Sequence, residues 1–364
     1  MKYINGLMES LNGYLPINNA RKQCFIHMLL GMLSTRSVNL QEIALAYQSN
    51  AQVSSRYRRL QRFFAFFDLD LTLISRWVFK LFFSGNEKFY VLIDRTNWYW
   101  GKQKINVFML SIAYEGLAVP ILWHMLEKGG SSNFKEQRKL LNAFKKQFGV
   151  TRVAGLLADR EFGNGNLFSW LNKHRIPFYI RIKEGSTVGI MKKKLWKAKK
   201  IFKDLPLKSY KEYDMCVEVF GQKVFLAGSR SERGELMIVA TNRSPKNAIS
   251  IYLRRWEIES LFQSLKGRGF KFEETHMSKP ERISKLIALL AIGFAWSHKV
   301  GEWRANIKPI LLKKFKESSR PQYSYFRYGL DYLRNLIFQG KQHTSEWFKC
   351  LKFLVQEPAG EIES

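Results

Sequence analysis

Four residues on one short stretch have the types and the spacing to do chemistry together. In Tyr252-Leu-Arg-Arg-Trp-Glu-Ile-Glu-Ser-Leu-Phe-Gln-Ser-Leu-Lys266, the residues Tyr252, Arg255, Glu259 and Lys266 are separated by two, three and six positions. No Pro or Gly falls between Ala248 and Lys266, so the stretch is expected to form one continuous helix. At about 100° per residue the four lie within an arc of about 60°. Ile258, Leu261 and Leu265 fall on the opposite, packing side, and Arg254 fits neither face. The row suits a phosphodiester. A carboxylate can hold a divalent metal, Arg clamps phosphate oxygens bidentately and Lys adds a point charge. Tyr can donate to a phosphate or stack near a base. The same spacing also fits a plain solvated face on which Arg255 and Glu259 pair one turn apart.

Two hydrophobic runs that each end in Asp must position such a row. Phe89-Tyr-Val-Leu-Ile-Asp94 reads as a buried strand that delivers its last residue to the sheet edge, with a turn expected from Arg95. Asn106–Tyr114 and Leu117–Met125 read as two further strands around Glu115-Gly116. After Gly129-Gly130 comes an amphipathic basic helix, Asn133 to Phe148. Val153-Ala-Gly-Leu-Leu-Ala-Asp159 is the second strand that ends in an acid, and a helix begins near Asn166. A lone Asp at a strand end is more often a cap or turn residue than a catalyst; here there are two. Glu161, two residues beyond Asp159, is a rival ligand.

The Tyr-Arg-Glu-Lys spacing resembles the signature of a large group of bacterial insertion-sequence transposases of the DDE superfamily. Asp159-Arg-Glu-Phe162 resembles the second acidic motif of the same group. The resemblance covers about residues 89 to 300 and implies an α/β fold: an RNase H-like mixed sheet core interrupted by a β-rich insertion. A helical N-terminal DNA-binding region and a helical C-terminal region would flank it. The implied divisions are 1–75 for DNA-end binding, 76–183 and 248–304 for the two parts of the core, 184–247 for the insertion, and 305–364 for the tail. Asp94, Asp159 and Glu259 would be the catalytic and metal-holding acids, suited by their oxygens to two Mg²⁺ ions, with Mn²⁺ as a substitute. Arg255 and Lys266 would neutralise phosphates, and Tyr252 would position the terminal nucleotides. The implied activity is cleavage of inverted-repeat DNA ends and joining of the freed 3′-hydroxyls to target DNA. It would be carried out by a dimer on paired ends, in a bacterial, cytoplasmic and nucleoid-associated setting. Two other functions fit the same residues: a metal-dependent host nuclease without strand transfer, and a non-catalytic DNA-binding derivative.

Composition agrees with a nucleic-acid partner. Sixty Lys and Arg against 30 Asp and Glu give a net charge of +30, which suits a polyanion. Aromatic residues at 15% and hydrophobic residues at 46% are enough for a sizeable core. No apolar run is expected to reach the roughly 18 residues of a membrane span, so no membrane partner is expected. The first residues lack a signal peptide's apolar region. Cys24, Cys216 and Cys350 are scattered without a zinc spacing and suggest a reducing compartment.

Residues 18 to 65 read as helical and basic, with Ser37 or Asn39 as a helix cap. Arg56, Arg58, Arg59 and Arg62 crowd the last helix there, and the order of short helix, turn and basic helix is the shape of a helix-turn-helix DNA reader. Between Glu184 and Asn247 lie Lys192, Lys193, Lys194, Lys197, Lys199 and Lys200, followed by β-like runs around a turn at Gly221-Gln222. A helix is expected from Lys279 to about Arg304, and helices again toward the C-terminus.

Overall fold

The chain opens with α1 (Lys2–Ser10), α2 (Asn19–Thr35), α3 (Leu40–Ala46), α4 (Val53–Phe66) and α5 (Leu71–Phe82). Local chemistry sets their starts. The Asn18 side chain accepts from the Arg21 N–H, Asn39 from Gln41, and Asp70 from Thr72 and Leu73. The computed structural model describes residues 2–47, 49–190, 194–314, 319–339 and 344–355. Two units are distinguished along the chain: Asn86–Leu261, and a second built from Met1–Gly85 together with Phe262–Ser364.

The first of these units holds β1 (Phe89–Trp100), β2 (Gln103–Tyr114), β3 (Leu117–Met125), α6 (Phe134–Phe148), β4 (Val153–Ala158), α7 (Gly165–Lys173) and β5 (Phe178–Ile182). It continues through β6 (Thr187–Ile190), β7 (Lys194–Lys197), α8 (Ala198–Ile201), β8 (Ser209–Val219), β9 (Gln222–Arg230), β10 (Leu236–Thr241) and α9 (Ala248–Leu253). The following helix is α10 (Trp256–Leu265). Its strands form one sheet in the order β3-β2-β1-β4-β5-β10-β9-β8-β6-β7. β1, β2 and β3 are antiparallel neighbours, whereas β4 and β5 continue parallel to β1. This mixed sheet with its crossover helices is an RNase H-like α/β core. The strands after β5 add to the same sheet through an antiparallel pairing of β10 with β5. Glu115 and Gly116, both at positive φ, make the tight β2–β3 turn. Phe220 and Gly221 do the same between β8 and β9, one residue earlier than the sequence suggests. Lys192 and Lys193 of the lysine run lie outside the described residues.

The second unit completes its helices with α11 (Pro280–Ile307), α12 (Tyr325–Gln339) and α13 (Thr344–Lys352). A small ribbon, β11 (Leu312–Lys314) with β12 (Ser319–Pro321), precedes α12. One sequence expectation needs correcting here. α11 is long and apolar enough to span a membrane by length and composition, but 83% of its most apolar window is buried within the protein. It is apolar nearly all round because it is a core helix. α11 and α12 touch backbone to backbone. A Cβ on Gly329 would lie 1.8 Å from the Ser297 carbonyl, and one on Gly301 1.9 Å from that of Tyr325, so no larger residue fits at this crossing.

Candidate active site

β1 does not end at Asp94, as the sequence suggested; it runs on to Trp100. Thr96 and Trp98 alternate inward, and β2 pairs with the strand as far as Trp100↔Gln103, so the ladder carries the chain past the acid. Asp94 is still placed at an edge of a different kind. The parallel pairing of β1 with β4 stops at Ile93↔Ala158, so Asp94 and Asp159 are the next residues on adjacent strands. Past that point Asp159 leaves the sheet in a turn closed by Phe162 N–H to the Asp159 carbonyl at 3.0 Å. The Phe162 ring is fully buried and stacks on Phe108 with 5.6 Å between centroids.

The expected single helix is two helices. Between α9 and α10 the N–H groups of Arg254, Arg255, Glu257 and Ile258 each bond to the carbonyl three residues back, at 2.9–3.1 Å. This tighter winding breaks the α-helix without any Gly or Pro. It frees Arg255 to turn toward β1. The Arg255 guanidinium bonds to Asp94 Oδ2 at 3.4 Å through Nη1 and to Glu259 Oε1 at 2.6 Å through Nη2. The one-turn pairing of Arg255 with Glu259 therefore forms, but as half of a bridge between two acids. Tyr252 is buried, 1% exposed, and its hydroxyl donates to Asp159 Oδ1 at 3.3 Å. In this arrangement the phenol holds a carboxylate. Burial pushes it up to about 12, so it remains a donor at neutral pH. Arg254, which fitted neither face of the helical wheel, bonds Glu257 at 2.9 Å and lies over the Tyr90 ring.

Electrostatics single out Asp94. Burial pushes its carboxyl up to about 6, more than the Arg95 N–H and the Arg255 charge lower it; Glu161 and Asp159 push the same way as burial. A carboxylate so poorly compensated is suited to a further cation. The donor set of Asp94, Asp159 and Glu259 is all hard oxygen, which fits a divalent ion of the Mg²⁺ class. Among the described residues, however, no three His, Cys, Asp or Glu side chains are grouped closely enough to hold a metal as they stand. Arg255 bridges two of the acids, so a metal would require that bridge to open.

Two arginines that the sequence reading did not single out also belong to the site. Arg181 on β5 places Nη1 3.9 Å from Asp159 Oδ1. Arg95, next to Asp94, grips Glu161 with two bonds of 2.7 and 2.6 Å. An Arg within the apolar run Phe178–Ile182 was the one local signal for the first. Nothing local pointed to the second.

The remaining sequence candidates lie in the helical unit. Lys266 pairs with Glu273 at 2.6 Å. α3 and α4 form the expected short helix, turn and longer basic helix. Arg56 is used up on the turn: its guanidinium donates to the carbonyls of Ala51, Tyr47 and Ser49 at 2.8 Å each. Arg59 donates to Ala20 O at 2.7 Å. Arg58 and Arg62 are exposed. Replacing Arg58 and Arg62 together with Ala is therefore expected to lower the slope of log K against log salt for DNA binding by about 2, at roughly 0.9 per phosphate contact. Arg56→Ala should instead lower the unfolding midpoint and leave that slope alone. A fluorescence-anisotropy titration over a salt series measures the slopes and thermal unfolding measures the midpoint, and an unchanged slope in the double variant would remove this helix from the DNA interface.

The family model described as Transposase DDE domain matches residues 88–295, a span that takes in Asp94, Asp159 and Glu259. No curated protein matches the chain.

Proposed function

This chain belongs to the transposase DDE domain family, and we propose that it is a DNA transposase of the Tyr-Arg-Glu-Lys group that cuts the inverted-repeat ends of an insertion sequence and joins them to target DNA. One observation carries the reading. Arg255 of the signature bridges Asp94 and Glu259 while Tyr252 holds Asp159, so signature and strand-end acids meet in one network. In this proposal Asp94, Asp159 and Glu259 would hold two Mg²⁺ ions, for which Mn²⁺ could substitute. When bound, the ions supply activation of a water or 3′-hydroxyl and charge stabilisation of the leaving oxygen in an in-line displacement. The residues of the chain do the rest. Tyr252 and Arg181 fix the orientation of Asp159. Arg255 opens from the acids and clamps a phosphate oxygen of the cleaved strand, and Lys266 adds a second phosphate contact. DNA ends and target DNA are the partners, and a dimer would pair the two ends.

A nuclease without strand transfer would use the same acids, so the deciding experiment is joining. The DNA flanking the gene is searched for inverted repeats, and linear DNA carrying such repeats is incubated with the chain, Mg²⁺ and a supercoiled target. Cuts at the repeat ends followed by insertion into the target support transposition. Cutting without regard to the repeats, with no joined product, would replace it with the nuclease reading, and binding without cutting would leave a DNA-binding derivative. Arg255→Lys is expected to lower end cleavage by about tenfold, because a lysine cannot bridge two acids or clamp a phosphate with two bonds. Full activity of that variant in a single-turnover assay would leave Arg255 without its assigned part.

A further inference from the structure

Glu161 has the chemistry of a ligand and stands two residues from Asp159, yet its carboxylate is fully engaged elsewhere. Both of its oxygens accept from Arg95, Oε1 from Nε at 2.7 Å and Oε2 from Nη2 at 2.6 Å. This is the two-bond geometry that fixes direction as well as distance. Arg95 is itself held from other sides. Its Nη1 donates to the Gly130 carbonyl and lies 3.4 Å from Asn106 Oδ1. Asn106, fully buried on β2, donates from Nδ2 to Lys128 O at 3.0 Å and Gly130 O at 3.1 Å. Gly130 presents that carbonyl from φ +94°, where a side chain would strain the backbone.

The backbone completes the connection. The Arg95 N–H donates to Asp94 Oδ1 at 2.7 Å, so one residue holds Asp94 with its main chain and Glu161 with its side chain. Glu161 sits in the turn that begins at Asp159 and is anchored by the buried Phe162. We propose that Arg95 and Glu161 form a positioning pair that sets the separation of Asp94 and Asp159, and that Glu161 is not itself a metal ligand. The proposal rests on the assignment of Asp94 and Asp159 as the acids that hold the ions. An ion pair acting through neighbouring ligands typically changes metal affinity by 10- to 100-fold when broken.

The test is a double-variant cycle on the full chain: Arg95→Gln, Glu161→Gln and both together, with Arg95→Lys as a milder change and Asp159→Ala as a reference. Mn²⁺ dissociation is measured by electron paramagnetic resonance, cleavage kcat and KM are measured on pre-formed ends, and circular dichroism confirms folding. Each Gln variant is expected to weaken Mn²⁺ binding by about tenfold or more. Each should lower kcat at fixed Mn²⁺ with little change in KM for DNA, and excess Mn²⁺ should restore cleavage. The double variant should be no worse than either single one, since both break the same pair, and Arg95→Lys should fall in between. Loss of Mn²⁺ binding in Glu161→Gln with normal binding in Arg95→Gln would make Glu161 a ligand and overturn the proposal. Additive losses, or no change in any variant, would overturn it as well. If Asp159→Ala still bound Mn²⁺ and cut DNA, the assignment of the acids would fall on that result alone, independently of Arg95 and Glu161.

Discussion

Glu259→Gln and Asp159→Ala are expected to lose DNA cleavage by about a thousandfold or more, roughly 4 kcal/mol of transition-state stabilisation, while Glu257→Gln is expected to cut at close to the parent rate. The two glutamates lie two residues apart on α10 and have unlike surroundings. Glu259 accepts from Arg255 and is one end of the bridge to Asp94. Glu257 is buried against Arg254, and burial already raises its carboxyl above the usual range, so its charge is poorly supported. An amide at 257 keeps an oxygen for Arg254 and should change stability by about 1 kcal/mol or less. An amide at 259 keeps the Arg255 bond but is a poor partner for a hard cation. The assay uses pre-formed DNA ends and variants shown to be folded by circular dichroism. A dead Glu257→Gln beside an active Glu259→Gln would reverse the facing of the helix and remove the catalytic assignment with it.

Asp94→Asn should be inactive and yet more stable than the parent. The Asp94 carboxyl is raised from 3.8 to about 6 in the fold. Between those values the folded chain holds a proton that the unfolded chain has released, so this group favours folding increasingly as pH falls from about 6 to about 4. Above pH 6 its ionised form costs the fold about 3 kcal/mol, at about 1.4 kcal/mol per unit. Asn mimics the neutral carboxyl and can still accept from the Arg95 N–H. The variant is therefore expected to gain about 2–3 kcal/mol at pH 7 in EDTA and to lose that advantage by pH 4. Urea unfolding at the two pH values measures this. A variant less stable than the parent at pH 7 would mean that Arg255 compensates Asp94 more fully than its burial allows.

The parts of the site that could be read from sequence were those set by local pattern. Two apolar runs ending at Asp94 and Asp159 needed only a sheet to bring them side by side, and the parallel register of β1 with β4 does so. The acidic and basic residues of Tyr252–Lys266 were visible as a spaced set. What escaped depended on partners far along the chain. β1 continues past Asp94 because β2 pairs with it, although the alternation of Thr96 and Trp98 was there to be seen. The break at Arg254–Arg255 carries no Gly or Pro; its winding accompanies the reach of Arg255 to an acid 161 residues away. Arg56 looked like a free cation among four arginines, but backbone carbonyls of the turn before it take up its donors. The engagement of Glu161 depends on Arg95, 66 residues earlier, and no spacing rule links the two.

The helical unit is assembled from the two ends of the chain, and this bears on how the protein is made. Trp77 donates its indole N–H to Leu354 O at 2.7 Å, Arg334 donates to Ser34 O at 2.7 Å, and a Cβ on Gly6 would touch Leu351. These contacts join segments separated by about 280 to 345 residues, so α1 to α5 can pack on one another but leave the ribosome long before their partners in α11 to α13 exist. Asn86–Leu261 is continuous and can fold during that wait. The basic helix α4 thus emerges early but gains the support of α11 only after more than 200 further residues have been made. Contacts between segments so far apart are slow to form, so docking of the late helices on the early ones is expected to be a slow step of folding. A nascent chain stalled before α11 would expose the apolar faces of its first helices and be prone to aggregate.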